Sequence, residues 1–350
     1  MVGLMLVLVF AALSAGLTGC AKPEADSGKK QVGVSFYLLA DLARKICGEK
    51  MEVVCFMPPG TDVHGWEPTP RKVLQMTEAD AFLLNGAGLE PWTGKVLPLL
   101  EKRNVPVFEA ARCVQLSGHH ECCGHEEHEA HEEHEGHEED EAHEEHAGHE
   151  EDEAHEEHTG QDCGHDHAEG GADPHIWLSI KNVELILVDL KAFFCELDPE
   201  NADYYEANLR KSLAECGTLD AEFQAVTKEL PVRKLVVAHR AFEYLCRDYQ
   251  LEQVALEGYG AYSDPSPAQM VKIMEFIRAN HVPVIYAASS ESSKGADAIA
   301  RETGVKVGVL HPLGTLTPRQ IEDGADYFSV MRENLEALKL LRTQPVSEEH

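Results

Sequence analysis

From Gln31 onward, short runs of consecutive apolar residues alternate with stretches whose apolar positions recur at helical spacing. Runs at 32–35, 53–57, 81–84 and 105–108 predict strands of a sheet buried on both faces. Between them, 38–46, 69–78 and 91–102 carry the helical period, and Thr69-Pro70 supplies a cap with proline at the first helical position. A second series repeats the plan, with strands at 235–238, 253–256, 284–287 and 305–310. Its helices run through Asp248 and at 267–280, 293–303 and 318–341. Two long helices separate the series: Ser179 caps one that runs to Glu196, and Asp198-Pro199 breaks it and starts another to Glu229. Strands that alternate with helices need crossover connections and so pair in parallel. The predicted fold is α/β, with two parallel-sheet (β/α) lobes at 31–178 and 198–345. A long rigid helix at 179–197 joins them, and the site lies in the interlobe crevice, where strand C-termini gather.

The chain begins differently. Residues 1–17 are apolar and uncharged and end in Leu17-Thr18-Gly19-Cys20, which resembles a bacterial lipobox. Residues 1–19 then form a signal peptide, Cys20 carries lipid, and 20–30 are a polar tether. The other reading is an uncleaved anchor, though the run is short for a span of about 20 residues. No basic segment precedes it. Ten cysteines fit an oxidising compartment, and Cys47 with Cys55 and Cys195 with Cys216 flank turns that a disulfide would close.

Charge is concentrated in one place. The net charge is -32, yet 22 acids fall within 119–170, and no Lys or Arg occurs between Arg112 and Lys181. Removing that segment leaves about -10, an ordinary acidic surface that repels nucleic acid and attracts cations. Residues 118–170 are a low-complexity insert with a 12-residue repeat that places His131, His134, His137, His143, His146, His149, His155 and His158 among carboxylates. With almost nothing apolar to bury, it is predicted to be disordered without metal. These histidines offer many weak metal sites, either as a collector for a tighter site or as a solvated polyanionic spacer.

Outside the insert, His64, His175, His239 and His311 share a setting: each ends a predicted strand or lies on a loop entering a helix. Singly, each fits a hydrogen-bonded structural residue; together they outline one crevice. Four neutral imidazoles suit tetrahedral Zn²⁺, whereas Mg²⁺, Ca²⁺ and Mn²⁺ prefer oxygen. His281, just after a helix, reads as a C-terminal cation. The chain carries no His-Glu-x-x-His and no nucleophile context, which argues against a zinc hydrolase.

The motifs Val63-His64-Gly65-Trp66-Glu67-Pro68-Thr69-Pro70, Asp173-Pro174-His175-Ile176-Trp177-Leu178-Ser179, Val236-Val237-Ala238-His239-Arg240-Ala241-Phe242-Glu243-Tyr244 and His311-Pro312-Leu313-Gly314 occur in order along the chain. Over Gln31 to Leu341 the sequence resembles the metal-binding solute-receptor lipoproteins of ABC transporters, in their zinc branch. The resemblance implies a non-enzymatic, lipid-anchored, extracytoplasmic receptor, monomeric, that captures Zn²⁺ and passes it to a permease and its cytoplasmic ATPase. It makes His64, His175 and His239 the ligands. A manganese receptor of the same family, or a surface zinc store or adhesin, are the alternative functions. Val63 stands where relatives carry proline, and His311 where they carry Asp or Asn. The fourth ligand is therefore open among His311, Glu67, Asp62 and a water. Asp173 and Glu67 are expected either to orient ligand imidazoles from behind or to cap their local turns.

Overall fold

The computed structural model describes residues 28–117, 171–256, 266–288 and 294–343. Cys20 and the insert histidines, from His131 to His158, lie outside them. Among the described residues, β1 (Gln31–Val34), α1 (Tyr37–Cys47), β2 (Glu52–Cys55), α2 (Pro70–Met76), β3 (Ala81–Leu84), α3 (Thr93–Lys102) and β4 (Val107–Glu109) build the first lobe. Helices α4 (Ile180–Leu197) and α5 (Ala202–Lys228) follow. The second lobe has β5 (Lys234–Val237), α6 (Glu243–Tyr249), β6 (Glu252–Ala255), α7 (Pro267–Ala279), β7 (Val284–Ala288), α8 (Lys294–Thr303) and β8 (Lys306–Leu310). Helices α9 (Pro318–Glu322) and α10 (Tyr327–Leu338) complete the order.

Both sheets are parallel and share one topology, β2-β1-β3-β4 and β6-β5-β7-β8. The apolar runs are explained by burial on both faces, most clearly in the fully buried β3 and β7. On its outer side the first sheet packs Phe56, Phe82 and Leu84 against Met76 of α2 and Val96 and Leu100 of α3. The second sheet packs Val236 and Ile285 against Ile277 of α7 and Ile299 of α8. The inner sides are not separate. Val32 and Leu39 of the first lobe, Ile186 and Phe194 of α4, Phe223 of α5, and Tyr244 and Tyr327 beyond it belong to one continuous apolar core. Lobes that share a core have little freedom to hinge apart.

The capping signals act as the sequence implies. Thr69 accepts from the Lys72 amide, and the Ser179 hydroxyl accepts from the Asn182 amide at 3.1 Å. Three details differ. The helix joining the lobes is α5, which packs against α1 of the first lobe and against α6 and α10 of the second; α4, at the position assigned to the link, packs against α5 and α1. The predicted helix 318–341 is broken: Gly324 takes φ +82°, and Asp326 caps a new helix by accepting from the Ser329 amide at 2.9 Å. The break docks onto α1, where Tyr37 donates to the Ala325 carbonyl at 3.0 Å and Asp41 accepts from the Tyr327 amide at 3.0 Å. Finally, neither suspected disulfide is present, since Cys47, Cys55, Cys195 and Cys216 are all free thiols. Cys47 and Cys55 flank a turn, but their sulfurs face different backbone carbonyls, those of Gly48 and Met57. Closeness in sequence does not supply the geometry a disulfide needs.

Glycine is demanded at position 33, where a Cβ would lie 2.9 Å from the rings of both Phe56 and Phe82. Gly33→Ala is expected to cost about 1–3 kcal/mol in urea unfolding of the metal-free protein. An unchanged midpoint would contradict this packing.

Candidate metal centre

Three histidines are delivered to one point from three segments. His64 follows β2 on a proline-stiffened loop; His175 precedes a single 3₁₀ turn (Ile176–Leu178) that leads into α4; His239 lies two residues beyond β5. The first loop is pinned to the other lobe. The Gly60 amide donates to the Leu316 carbonyl at 2.8 Å and the Thr315 hydroxyl at 3.0 Å. Next to His64, Val63 is buried against Gly314, where a Cβ would come within 3.0 Å of Val63 Cγ1.

The His175 segment is wedged between the lobes. From the second lobe, Tyr244 donates to the Asp173 carbonyl at 2.8 Å and Tyr327 to the Trp177 carbonyl at 3.1 Å, while Trp177 Nε1 donates to the Pro312 carbonyl at 2.8 Å. From the first lobe, Asn85 Nδ2 donates to the Pro174 carbonyl at 3.0 Å.

The result is a set of three imidazoles whose ligand nitrogens all lie within 4.8 Å of one another. His175 Nε2 is central, 3.2 Å from both His64 Nε2 and His239 Nε2. A tetrahedral ion with Zn–N bonds of about 2.0–2.1 Å separates its ligand atoms by about 3.3 Å. The cavity they line, with Asp62, Val63, Pro312, Gly314 and Thr315, measures about 20 Å³, enough for one water or one small ion. The Asp173 carboxylate accepts from His175 Nδ1 at 2.8 Å and from the His175 amide at 2.9 Å. A proton held on Nδ1 leaves the Nε2 lone pair facing the cavity.

Burial also keeps the rings neutral. It pushes His64 down to about 4, with the neighbouring His175 adding to the effect, and Asp62 and Asp173 opposing it. Burial likewise lowers His175 and His239 to about 3, and Asp62 opposes both shifts. A metal needs unprotonated imidazole, so this cluster is ready for a cation well below neutral pH.

Other candidates stand elsewhere. His311 is buried but outside the cluster of three and outside the cavity lining. Its Nδ1 accepts from the Leu313 amide at 2.9 Å, the two-residue turn bond that an Asp or Asn side chain makes at such a position. A neutral ring with Nδ1 accepting carries its proton on Nε2, so neither nitrogen offers a lone pair to an ion. Its peptide group is held by Asn334, whose Oδ1 accepts from the His311 amide at 2.7 Å. Glu67 does not approach a histidine: its side chain is 60% exposed and pairs with Lys95 at 3.6 Å. The cavity's carboxylate is instead that of Asp62, which also accepts from the His64 amide at 3.3 Å and the Gly65 amide at 2.8 Å. Asn85 and Glu90, beneath the His175 segment, were not singled out in the sequence; an Asn-Gly-x-Gly turn directly after a strand is the signal that marks them.

Residues 32–340 match the family described as "Zinc-uptake complex component A periplasmic". The chain is 30% identical over 331 residues to the zinc-binding lipoprotein AdcA of Streptococcus pneumoniae strain R6, covering 92% of this chain and 58% of that protein. It thus spans less than two thirds of that relative's length. It is 29% identical over 333 residues to the high-affinity zinc uptake system protein ZnuA of Bacillus subtilis, covering 95% of this chain and 93% of that one. The crystal structure of Zn(II)-bound AdcA from Streptococcus pneumoniae superimposes with a TM-score of 0.70 at 25% identity, over 92% of this chain and 60% of that one.

The lowered imidazole pKa values fix a sign for stability. Unfolded histidines take up protons near 6.5, whereas the buried three stay neutral until about pH 3–4. Between these limits the unfolded state binds more protons, so the metal-free protein loses stability as pH falls through that window. The thermal midpoint is expected to drop between pH 7 and pH 5, and to drop by less when His64, His175 and His239 are all glutamine. Equal drops in the two proteins would contradict the assignment.

Proposed function

Because the chain belongs to the family of zinc-uptake complex A components, we propose that it is an extracytoplasmic receptor that captures Zn²⁺ and delivers it to an ABC permease driven by a cytoplasmic ATPase. The observation that carries this reading is the trio of neutral Nε2 atoms spaced 3.2 Å about His175 in a cavity sized for one ion. His64, His175 and His239 are the ligands, and Asp173 holds the His175 tautomer. The fourth position opens towards Asp62, where a carboxylate oxygen or a water completes the tetrahedron. Three imidazole nitrogens favour Zn²⁺ over oxygen-seeking Mn²⁺. His311 serves the turn that closes the cavity floor and is not a ligand.

The ion is cargo, and the site performs no chemistry on it. Lipid on Cys20 would hold the receptor at the membrane, and the histidines of 118–170 would gather zinc around it. Among the described residues, no helix is long and apolar enough to cross a membrane. A monomer would suffice for this role, since the three histidines come from one chain and need no second copy.

In the protein lacking 118–170, chelator-competition titration should find one tight zinc, with total stoichiometry below that of the full chain. Alanine at His64, His175 or His239 should weaken it by more than about 100-fold, the upper end of what loss of a supporting residue costs. His311→Ala should leave affinity within a few-fold. An affinity that survives His175→Ala, or collapses with His311→Ala, would overturn the ligand set.

A further inference from the structure

The three imidazoles leave one buried acid without a role. Glu90, between β3 and α3, is 3% exposed. Its Oε1 accepts from the Ser35 hydroxyl at 2.7 Å and the Asn85 amide at 2.8 Å, and its Oε2 accepts from the Gly86 amide at 3.1 Å. Burial raises its carboxyl above the usual range even though these donors pull it down. A buried carboxyl is costly to keep, and this one ties the residue after β1 to the loop after β3. Gly86, Ala87 and Gly88 run at φ of +79°, +51° and +78°, a conformation natural to the two glycines and strained at Ala87. A non-glycine residue in that region persists only where its surroundings fix it, and Glu90 holds the Asn85 and Gly86 amides at the entry to the turn.

The loop presents Asn85, itself 2% exposed. Its Nδ2 donates to the Gly86 carbonyl and to the Pro174 carbonyl, both at 3.0 Å. The Pro174 carbonyl also accepts from the Ile176 amide at 2.8 Å, closing a three-residue turn with His175 at its centre, φ −80° and ψ 45°. These angles are those of an inverse γ-turn. Asp173 orients the His175 ring but belongs to the same segment, so it cannot fix that segment against the first lobe. Asn85 makes that connection.

We propose that Glu90 and Asn85 are positioning residues for ion capture: Glu90 locks the 85–88 turn, Asn85 locks the Pro174 carbonyl, and His175 is thereby set between the other two imidazoles before the ion arrives. This rests on the three histidines being the zinc ligands. Because His175 is the central nitrogen of the trio, a small rotation of its turn disturbs both of its neighbours. An ordinary structural residue would affect stability without changing the ion's surroundings.

The test uses the full chain with Asn85→Ala and Glu90→Gln, beside His175→Ala. First-equivalent zinc affinity is read by chelator competition, the coordination geometry by the absorption bands of bound Co²⁺, and folding by circular dichroism of the metal-free protein. Folded variants with affinity lowered roughly 10- to 100-fold, in the range typical of groups supporting metal ligands, and with altered Co²⁺ bands support the proposal. Unchanged affinity and Co²⁺ bands in either folded variant, or failure of both to fold, overturn it and leave the pair purely structural. If His175→Ala itself keeps full affinity, the ligand reading has failed instead, and the two failures are distinguishable.

Discussion

Three imidazole rings converge on one small cavity, with His175 Nε2 3.2 Å from both of its neighbours, and the rest of the structure is arranged to hold them there. Protonation of the rings would bring like charges together, and both burial and the neighbouring imidazoles oppose it at His64 and His239. The rest of the structure supplies the restraint. The lobes share one inner core, the His64 loop is tied to the 315–316 turn by the Gly60 amide, and the His175 segment takes hydrogen bonds from both sides. Affinity in such a site comes from ligands placed in advance, so little ordering remains when the ion enters. The same restraint limits how the ion leaves. With a continuous core beneath them, the lobes are poorly placed for wide hinge motion, so exchange of an ion at the site would require local movement of the loops around the cavity.

Much of this was legible in the residues, for physical reasons that differ by element. Buried parallel strands read as continuous apolar runs, so β3 is matched residue for residue and the other strands to within two residues at either end. The crevice was legible because His64 and His239 follow strands at C-terminal edges and His175 leads into a capped helix. Side-chain direction was not legible. His239 and His311 occupy similar positions after strands β5 and β8, yet one ring enters the cavity and the other turns its Nδ1 to the Leu313 amide. Glu67 lies three residues from His64 in sequence, but its carboxylate points to solvent and Lys95. Pattern could not tell which of two consecutive long helices joins the lobes, because that depends on contacts from α1, α6 and α10. The break at Gly324 was missed for a related reason: the apolar period continues across it, and only the docking of Tyr37 and Asp41 shows why the chain turns there.

The division of labour between charge and geometry follows from the same details. The chain's net charge of -32 draws cations of every kind. The proposed selection among them rests on three imidazoles with Asp62 at the cavity edge, a donor set whose type and spacing, rather than charge, would decide which ion stays.

The most direct measurement is zinc X-ray absorption on the protein lacking 118–170, loaded with one equivalent of Zn²⁺. The expected spectrum has three imidazole nitrogens at about 2.0–2.1 Å and a single further light donor. A shell of four imidazoles, a sulfur contribution, or fewer than three imidazoles would contradict a site built from His64, His175 and His239.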